Sequence, residues 1–268
     1  MSALFSPADH CFVVCAYKES PYSQECVDAL LAQTVRSNVL MATATPNDYI
    51  RGVADKAGIK LFENEAKPGI GSDWNFAVDC AGTPLVTLAH QDDTYMPRYV
   101  EAMLAMMNEA HRPLIFFSDY GELRNGEAVD DNRLLDVKRS LMKPLAKRQG
   151  ISDSRRVKRS IIRLGNAICC PSVTLNMTLL PRPPFNVVMG SNLDWDAWER
   201  FSRLDGEFVY RNEVLMHHRI HVDSTTSALI GDNTRTAEDL EMLKRFWPAP
   251  IAHAINFVYA RGQQSNAS

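Results

Sequence analysis

The sequence predicts an α/β fold, with a mostly parallel central sheet flanked by helices, on three observations. Short apolar, β-branched runs alternate with segments of helical period through the first 118 residues, at the spacing of βαβ units. One of those runs, Val86-Thr87-Leu88-Ala89-His90-Gln91-Asp92-Asp93, ends abruptly in two adjacent carboxylates. Open α/β sheets bind their ligands at such carboxyl ends of strands. At 268 residues the chain can bury a substantial core, and it reads as one domain, 1–268.

The elements follow in order. Cys11 to Ala16 is a strand, Tyr17-Lys18-Glu19-Ser20-Pro21 a loop, and the apolar spacing through Cys26, Ala29 and Leu30 a helix. Val39 to Ala44 is a second strand ended by Thr45-Pro46-Asn47-Asp48, followed by a helix from Tyr49 to Ala57 that Gly58 closes. Ile59 to Phe62 is a third strand. A turn at Gly69-Ile70-Gly71-Ser72 opens a helix from Asp73 to Cys80 that stops at Gly82, and Leu85 to Ala89 is the strand carrying the carboxylates. A helix from Pro97 to Ala110 and a strand from Pro113 to Ser118 follow. Glu207 to Tyr210 is a late strand that gives way to a polar stretch from Met216 to Thr226.

Composition narrows the function classes. A net charge of −3 offers no global attraction for nucleic acid. The six cysteines include no CxxC pair and read as reduced, mostly buried thiols of a cytoplasmic protein. The adjacent Cys169 and Cys170 have no second pair with which to build a metal site. Met1 to His10 lacks the pattern of a signal peptide, and no apolar stretch approaches the roughly 20 residues that span a bilayer. Ten basic residues crowd between Lys138 and Arg163. That run reads either as a solvated helical face or as an arm that meets an anionic acceptor or the membrane surface.

Three clusters carry candidate chemistry. Asp92 and Asp93 repel each other unless a cation or a hydrogen-bond network holds them, so they read as a Mg²⁺ or Mn²⁺ site or as a capped turn. Asn192-Leu193-Asp194-Trp195-Asp196 offers a general base, or else an acidic helix start anchored by Trp195 and Trp198. The stretch through His217, His218, Arg219 and His221 offers an arginine for phosphate oxygens and a histidine for a metal, or an ordinary polar loop.

Taken together, these segments resemble family 2 glycosyltransferases, which carry an Asp-x-Asp-type metal motif on the glycosyltransferase A fold. The resemblance runs from Cys11 to about Thr226. It includes the opening strand and turn Val13 to Glu19, the Leu30-Leu31-Ala32-Gln33-Thr34 ending of the first helix, and Asp73-Trp74-Asn75-Phe76-Ala77 before the carboxylate strand. It implies an inverting, metal-dependent transfer of a sugar from a nucleotide-diphosphate donor, UDP or dTDP, to a hydroxyl of a glycan, lipid-linked or protein acceptor. It implies Asp194, with Asp196 as the other candidate, in catalysis. Ala16, Tyr17, Glu19, Thr45, Asp73, His90, Gln91 and Arg219 are implicated at the donor, and Asp92, Asp93 and His221 at Mn²⁺ or Mg²⁺. His90 stands where the family's motif has its first Asp. Residues 1–118 are then the nucleotide-sugar-binding half, 119–230 the acceptor side with a basic insertion at 138–163, and 231–268 a C-terminal helical segment.

Two rivals are weighed against this. A sugar-phosphate nucleotidyltransferase needs a Gly-rich, basic loop after the first strand, where only Lys18 stands. A non-catalytic nucleotide-sugar-binding module would bind a donor without turning it over.

Overall fold

The computed structural model describes residues 4–66, 68–221 and 234–264. The stretch from Val222 to Thr226 that closes the third cluster lies outside them. In chain order the elements are β1 (His10–Ala16), α1 (Ser23–Leu31), β2 (Asn38–Thr43), α2 (Asp48–Ala57), β3 (Lys60–Glu63), α3 (Ile70–Ala81), β4 (Leu85–His90), β5 (Thr94–Tyr95), α4 (Tyr99–Glu109), β6 (Pro113–Arg124) and β7 (Glu127–Val129). There follow α5 (Arg133–Ala146), β8 (Ile151–Ser152), α6 (Arg155–Ser160), β9 (Val173–Asn176), α7 (Leu193–Phe201), β10 (Glu207–Ile220), α8 (Thr234–Lys244) and α9 (Ala249–Gln264).

One sheet runs through both halves of the chain in the order β3-β2-β1-β4-β9-β6-β10-β5, with β7 on β6 and β8 on β10. The pairs β3-β2, β2-β1, β1-β4 and β6-β10 are parallel, as the alternation of strands and helices predicts. Between them β9 runs antiparallel to both β4 and β6, an element the sequence reading did not reveal. The central strands are buried on both faces, so their side chains divide by alternation between two cores. Cys11 and Val13 join Leu40, Val86 and Ile115 on one side, while Phe12 and Val14 join Met41, Leu85 and Phe116 on the other.

Local chemistry sets most of the boundaries as read. The Asn47 side chain accepts the Ile50 amide at the start of α2, and Gly58 closes that helix at φ 66°. Helix α3 starts three residues earlier than expected, at Ile70, and ends on Gly82. Two strands outrun their expected lengths. β6 continues past Ser118 to Arg124, and β10 continues through the supposed polar loop to Ile220. The two extensions pair with each other, His217 opposite Gly121 and Arg219 opposite Leu123, so each supplies the backbone partners that the other's polar residues cannot signal.

The basic run from Lys138 to Arg163 is neither a detached arm nor a uniformly solvated face. Arg139 pairs with Asp119 at 2.6 Å, Arg159 pairs with Glu199 and stacks on Phe246, and Arg163 stacks on Trp247. Lys158 is fully buried, and its ammonium donates to the carbonyls of Leu204 and Gly206, both at 2.7 Å. Arg155, Arg156 and Lys143 do face solvent. Gly150, at φ 81°, ends the turn after α5, and a Cβ there would lie 2.0 Å from the Tyr210 carbonyl oxygen. No described helix is long and apolar enough to cross a membrane. All six cysteines are free thiols, and burial pushes that of Cys11 up to about 12.

Lys158→Met keeps the stem of the side chain and strands two buried carbonyls. The expected loss is about 2–3 kcal/mol, read from urea denaturation, whereas Arg155→Met costs under about 0.5 kcal/mol.

Candidate active site

Parallel pairing brings the carboxyl ends of β1, β2 and β4 to one edge of the sheet, with Ala16 beside Thr43 and Cys15 beside His90. A cavity of about 1990 Å³ opens there. Of the expected residues, Ala16, Tyr17, Glu19, Asp73, His90, Gln91, Asp92, Asp194 and His221 line it, and Thr45, Asp93, Asp196 and Arg219 do not.

The end of β4 distributes four side chains among four tasks. His90 stacks on Trp74 at 5.4 Å between ring centroids, and Trp74 meets Phe185 edge-on. The Gln91 amide clamps the β1–α1 loop: its Nε2 donates to the Tyr17 carbonyl at 2.9 Å, while its Oε1 accepts the Tyr17 amide at 3.1 Å and the Ser23 hydroxyl at 3.3 Å. Thr45 holds the same loop from β2, its hydroxyl accepting the Lys18 amide at 2.6 Å where Lys18 adopts φ 55°. Its role is therefore to shape the loop rather than to reach the cavity.

Asp92 and Asp93 separate. Asp92 Oδ2 lies 2.8 Å from His221 Nε2, and both residues line the cavity. Burial works against the Asp92 carboxylate, but His90, His221 and His218 outweigh it and hold its pKa below the ordinary value. Asp93 is 0% exposed, and its Oδ1 accepts both the Arg219 amide and His218 Nδ1 at 2.9 Å. Asp93 thus corrects its expected place as a metal ligand: it ties β4 to β10 from inside the protein. Burial lowers the pKa of His218, but the Asp93 carboxylate against it prevails, and the net shift is upward.

Arg219 is likewise turned to structure. It is 5% exposed, donates from Nε to the Asp92 carbonyl at 2.8 Å and from Nη2 to Glu25 at 2.6 Å, and lies 4.1 Å above the Tyr22 ring. An arginine committed to these contacts braces the Asp92 main chain and stands off the cavity wall.

Asp92 and His221 form a donor set suited to a divalent cation whose remaining positions a diphosphate and water complete. Among the described residues no group of three or more His, Cys, Asp or Glu converges as a closed metal site. A pair of ligands on the cavity wall fits a cation that arrives with its phosphate, and does not fit a permanently caged one.

The second acidic cluster also divides. Asp194, in the first turn of α7, lines the cavity and accepts the Asn166 side-chain amide at 2.6 Å and the Trp195 backbone amide at 2.7 Å. Burial raises its pKa above the ordinary value. Asp196 is 3% exposed and accepts from Arg200 at 2.9 Å, Arg245 at 2.6 Å and Asn186 at 2.8 Å. Two positions along a helix face different ways, so only one of the pair reaches the cleft.

Two contributors, Glu238 and Arg235, escaped the sequence reading, and a third, Lys138, entered it only as the start of the basic run. Glu238 on α8 accepts the amides of Gly190, Ser191 and Asn192 at 2.6–3.0 Å, which fixes the approach to α7. Lys138 and Arg235 line the same cavity. Nothing local marks Glu238, because the loop it holds lies 46 to 48 residues upstream.

A family model described as Glycosyl transferase family 2 matches residues 11–152, more than half of the chain. No curated protein matches it. Among solved structures, residues 1–349 of S. aureus TarS in complex with UDP-GlcNAc are similar, with a TM-score of 0.62 and 15% identity over 92% of this chain and 70% of that one. The chain spans 42% of a longer TarS structure, at a TM-score of 0.56 and 14% identity. Glucosyl-3-phosphoglycerate synthase from Mycobacterium tuberculosis, in complex with Mn²⁺, UDP and glucosyl-3-phosphoglycerate, has a TM-score of 0.58 and 15% identity over 88% of this chain and 80% of that one. At these identities the likeness is one of fold.

The His218–Asp93 pair makes stability depend on pH. A histidine whose folded pKa is raised contributes stability that is full below its unfolded value of 6.5 and is lost as the pH rises through the folded value. Asp93→Asn should cost about 1–3 kcal/mol at about pH 6 and flatten this limb of the profile, read from urea midpoints across the range.

Proposed function

The chain belongs to glycosyl transferase family 2, and from that premise we propose that it moves a sugar from a UDP-sugar to a hydroxyl acceptor, with inversion at the anomeric carbon and with a divalent cation. The observation that carries this reading is the arrival of Asp194 and of the Asp92–His221 pair, whose members lie on either side of it in sequence, on one cavity at the carboxyl ends of the strands.

The β1–α1 loop, held in shape by Gln91 and Thr45, offers Ala16 and Tyr17 to the base of the donor, with Asp73 beside them. Asp92 and His221 would hold Mn²⁺ or Mg²⁺. The cation, when bound, stabilises the charge that develops on the departing diphosphate. Asp92 suits this work because its neighbours keep it ionised well into the acid range. Asp194 takes the proton of the acceptor hydroxyl as the acceptor oxygen bonds to the anomeric carbon. The bond from that carbon to the diphosphate oxygen breaks on the opposite face, so a single displacement inverts the centre. Burial makes Asp194 a stronger base than an exposed aspartate, and Asn166 orients it. UDP bound to the neighbouring structures supports the choice of base.

Asp92→Asn should abolish Mn²⁺-dependent binding of UDP in calorimetric titration while leaving the thermal midpoint within a few degrees. Unchanged affinity would remove Asp92 from the cation site. Asp194→Asn should retain UDP and Mn²⁺ binding and lower turnover, read as UDP release, by roughly 10²–10⁴-fold.

The same substitution should raise the thermal midpoint at neutral pH. A carboxyl with a raised folded pKa loses stability as the pH climbs through that value, and the neutral amide escapes this. The unpartnered Asn166 Oδ1 can turn to accept the new amide. The gain should vanish below the ordinary aspartate range, and a lower midpoint at neutral pH would contradict the assignment.

A further inference from the structure

Beyond the groups assigned to donor, cation and base, the cavity wall carries basic side chains at Lys18, Arg124, Arg133, Lys138 and Arg235, of which Arg124 is paired with Glu122, and two apolar helix faces. Lys138 on α5 donates to the Tyr120 hydroxyl and makes no ion pair with any described residue. Arg235 on α8 buries its Nε with no hydrogen-bond partner. The two lie close enough to repel one another, and both act on Asp194. Cations held in a desolvated wall without counter-charges at hydrogen-bond distance lose hydration that a bound anion restores.

On α5 the wall continues from Arg133 at the helix start into apolar side chains around Lys138. Leu134, Val137 and Leu141 sit one helical turn apart along it, and Val137 is 53% exposed. Helix α9 adds Ile251, Ile255 and Val258 at the same spacing, with Val258 70% exposed. The cavity, at about 1990 Å³, is roughly twice the upper end of the ~300–1,000 Å³ usual for a small-molecule site, which leaves room beside a nucleotide sugar.

We propose that the acceptor is an amphiphile, an apolar chain that carries a phosphate head, with the phosphate held by Lys138 and Arg235 and the chain lying along the Val137 and Val258 faces. The proposal rests on the glycosyltransferase reading and names the acceptor class for it. Charge complementarity and the apolar continuation select this occupant. A free phosphate leaves the two stripes uncovered, a neutral lipid leaves the cations unpaired, and a plain sugar uses neither. Because Lys138, Arg235 and Asp194 line one cavity, a hydroxyl borne close to the phosphate head reaches the base.

The test titrates octyl phosphate, octyl glucoside and inorganic phosphate into the full chain, below the concentrations at which they form micelles, with UDP and Mn²⁺ titrated in the same preparation. Octyl phosphate should bind on the order of 100-fold more tightly than inorganic phosphate and about tenfold more tightly than octyl glucoside. Lys138→Met and Arg235→Met should each weaken octyl phosphate about tenfold or more. Val137→Asp and Val258→Asp should weaken it as well, and Lys143→Met, at an exposed position of α5, should not. Equal affinity for octyl phosphate and inorganic phosphate, for octyl phosphate and octyl glucoside, or for wild type and the two cation variants, overturns the proposal while leaving the donor reading standing if UDP binds. A chain that binds octyl phosphate but not UDP with Mn²⁺ overturns the glycosyltransferase reading instead.

Discussion

Everything at the centre of this protein depends on how two neighbouring carboxylates at the end of β4 are kept apart. Asp92 and Asp93 follow one another on a chain leaving a strand, and the two side chains leave in different directions. Asp93 is buried and accepts two hydrogen bonds from β10, one from the Arg219 main chain and one from His218. Asp92 is left on the cavity wall beside His221. A buried carboxylate is costly unless donors meet it; here two donors from a strand more than 120 residues away meet Oδ1, while Oδ2 has no hydrogen-bond partner and lies 3.9 Å from His90 Nδ1. The cost of burying Asp93 is thereby turned into a tether that sets the end of β10, and with it the position of His221.

Arg219 completes that tether from the other side. Its guanidinium bonds the Asp92 carbonyl and Glu25 and covers Tyr22, joining α1, β4 and β10 in one cluster. Rigid support of this kind matters at a charged site, where electrostatic stabilisation depends on groups that need not reorganise. Gln91 does the same for the β1–α1 loop, with three hydrogen bonds from one side-chain amide. The side chains nearest the chemistry are thus outnumbered by those that hold them in place.

The second acidic pair repeats the division by helical rather than strand geometry. Asp194 enters the cavity with an elevated pKa, and Asp196 turns into a cluster of Arg200, Arg245 and Asn186 that packs α7 against its neighbours. Glu238 and the paired Asn192 and Asp239 fasten the start of the same helix to α8. Cations on α5 and α8 and apolar faces on α5 and α9 line the cavity beyond Asp194.

Much of this was legible in the sequence, because strand, helix and cap signals are local. The alternation of apolar runs and helical segments through Ser118 predicted the parallel sheet, Asn47 and Gly58 bounded α2, and the placement of Asp92, Asp194 and His221 beside a common cleft followed from the family resemblance. What the sequence left undecided is which member of each polar cluster faces the cavity. Asp93, Asp196 and Arg219 carry the same chemistry as their neighbours and differ only in the partners that distant elements bring to them. The basic run from Lys138 to Arg163 was ambiguous for the same reason: its charges meet Asp119, Glu199 and the carbonyls of Leu204 and Gly206 only once the sheet has formed. Sequence by itself determined most of the elements of the first 118 residues and the residue types at their ends. Only the tertiary structure decided which of those residues are spent on holding the fold, because burial and hydrogen-bond satisfaction are properties of what lies across the chain rather than along it.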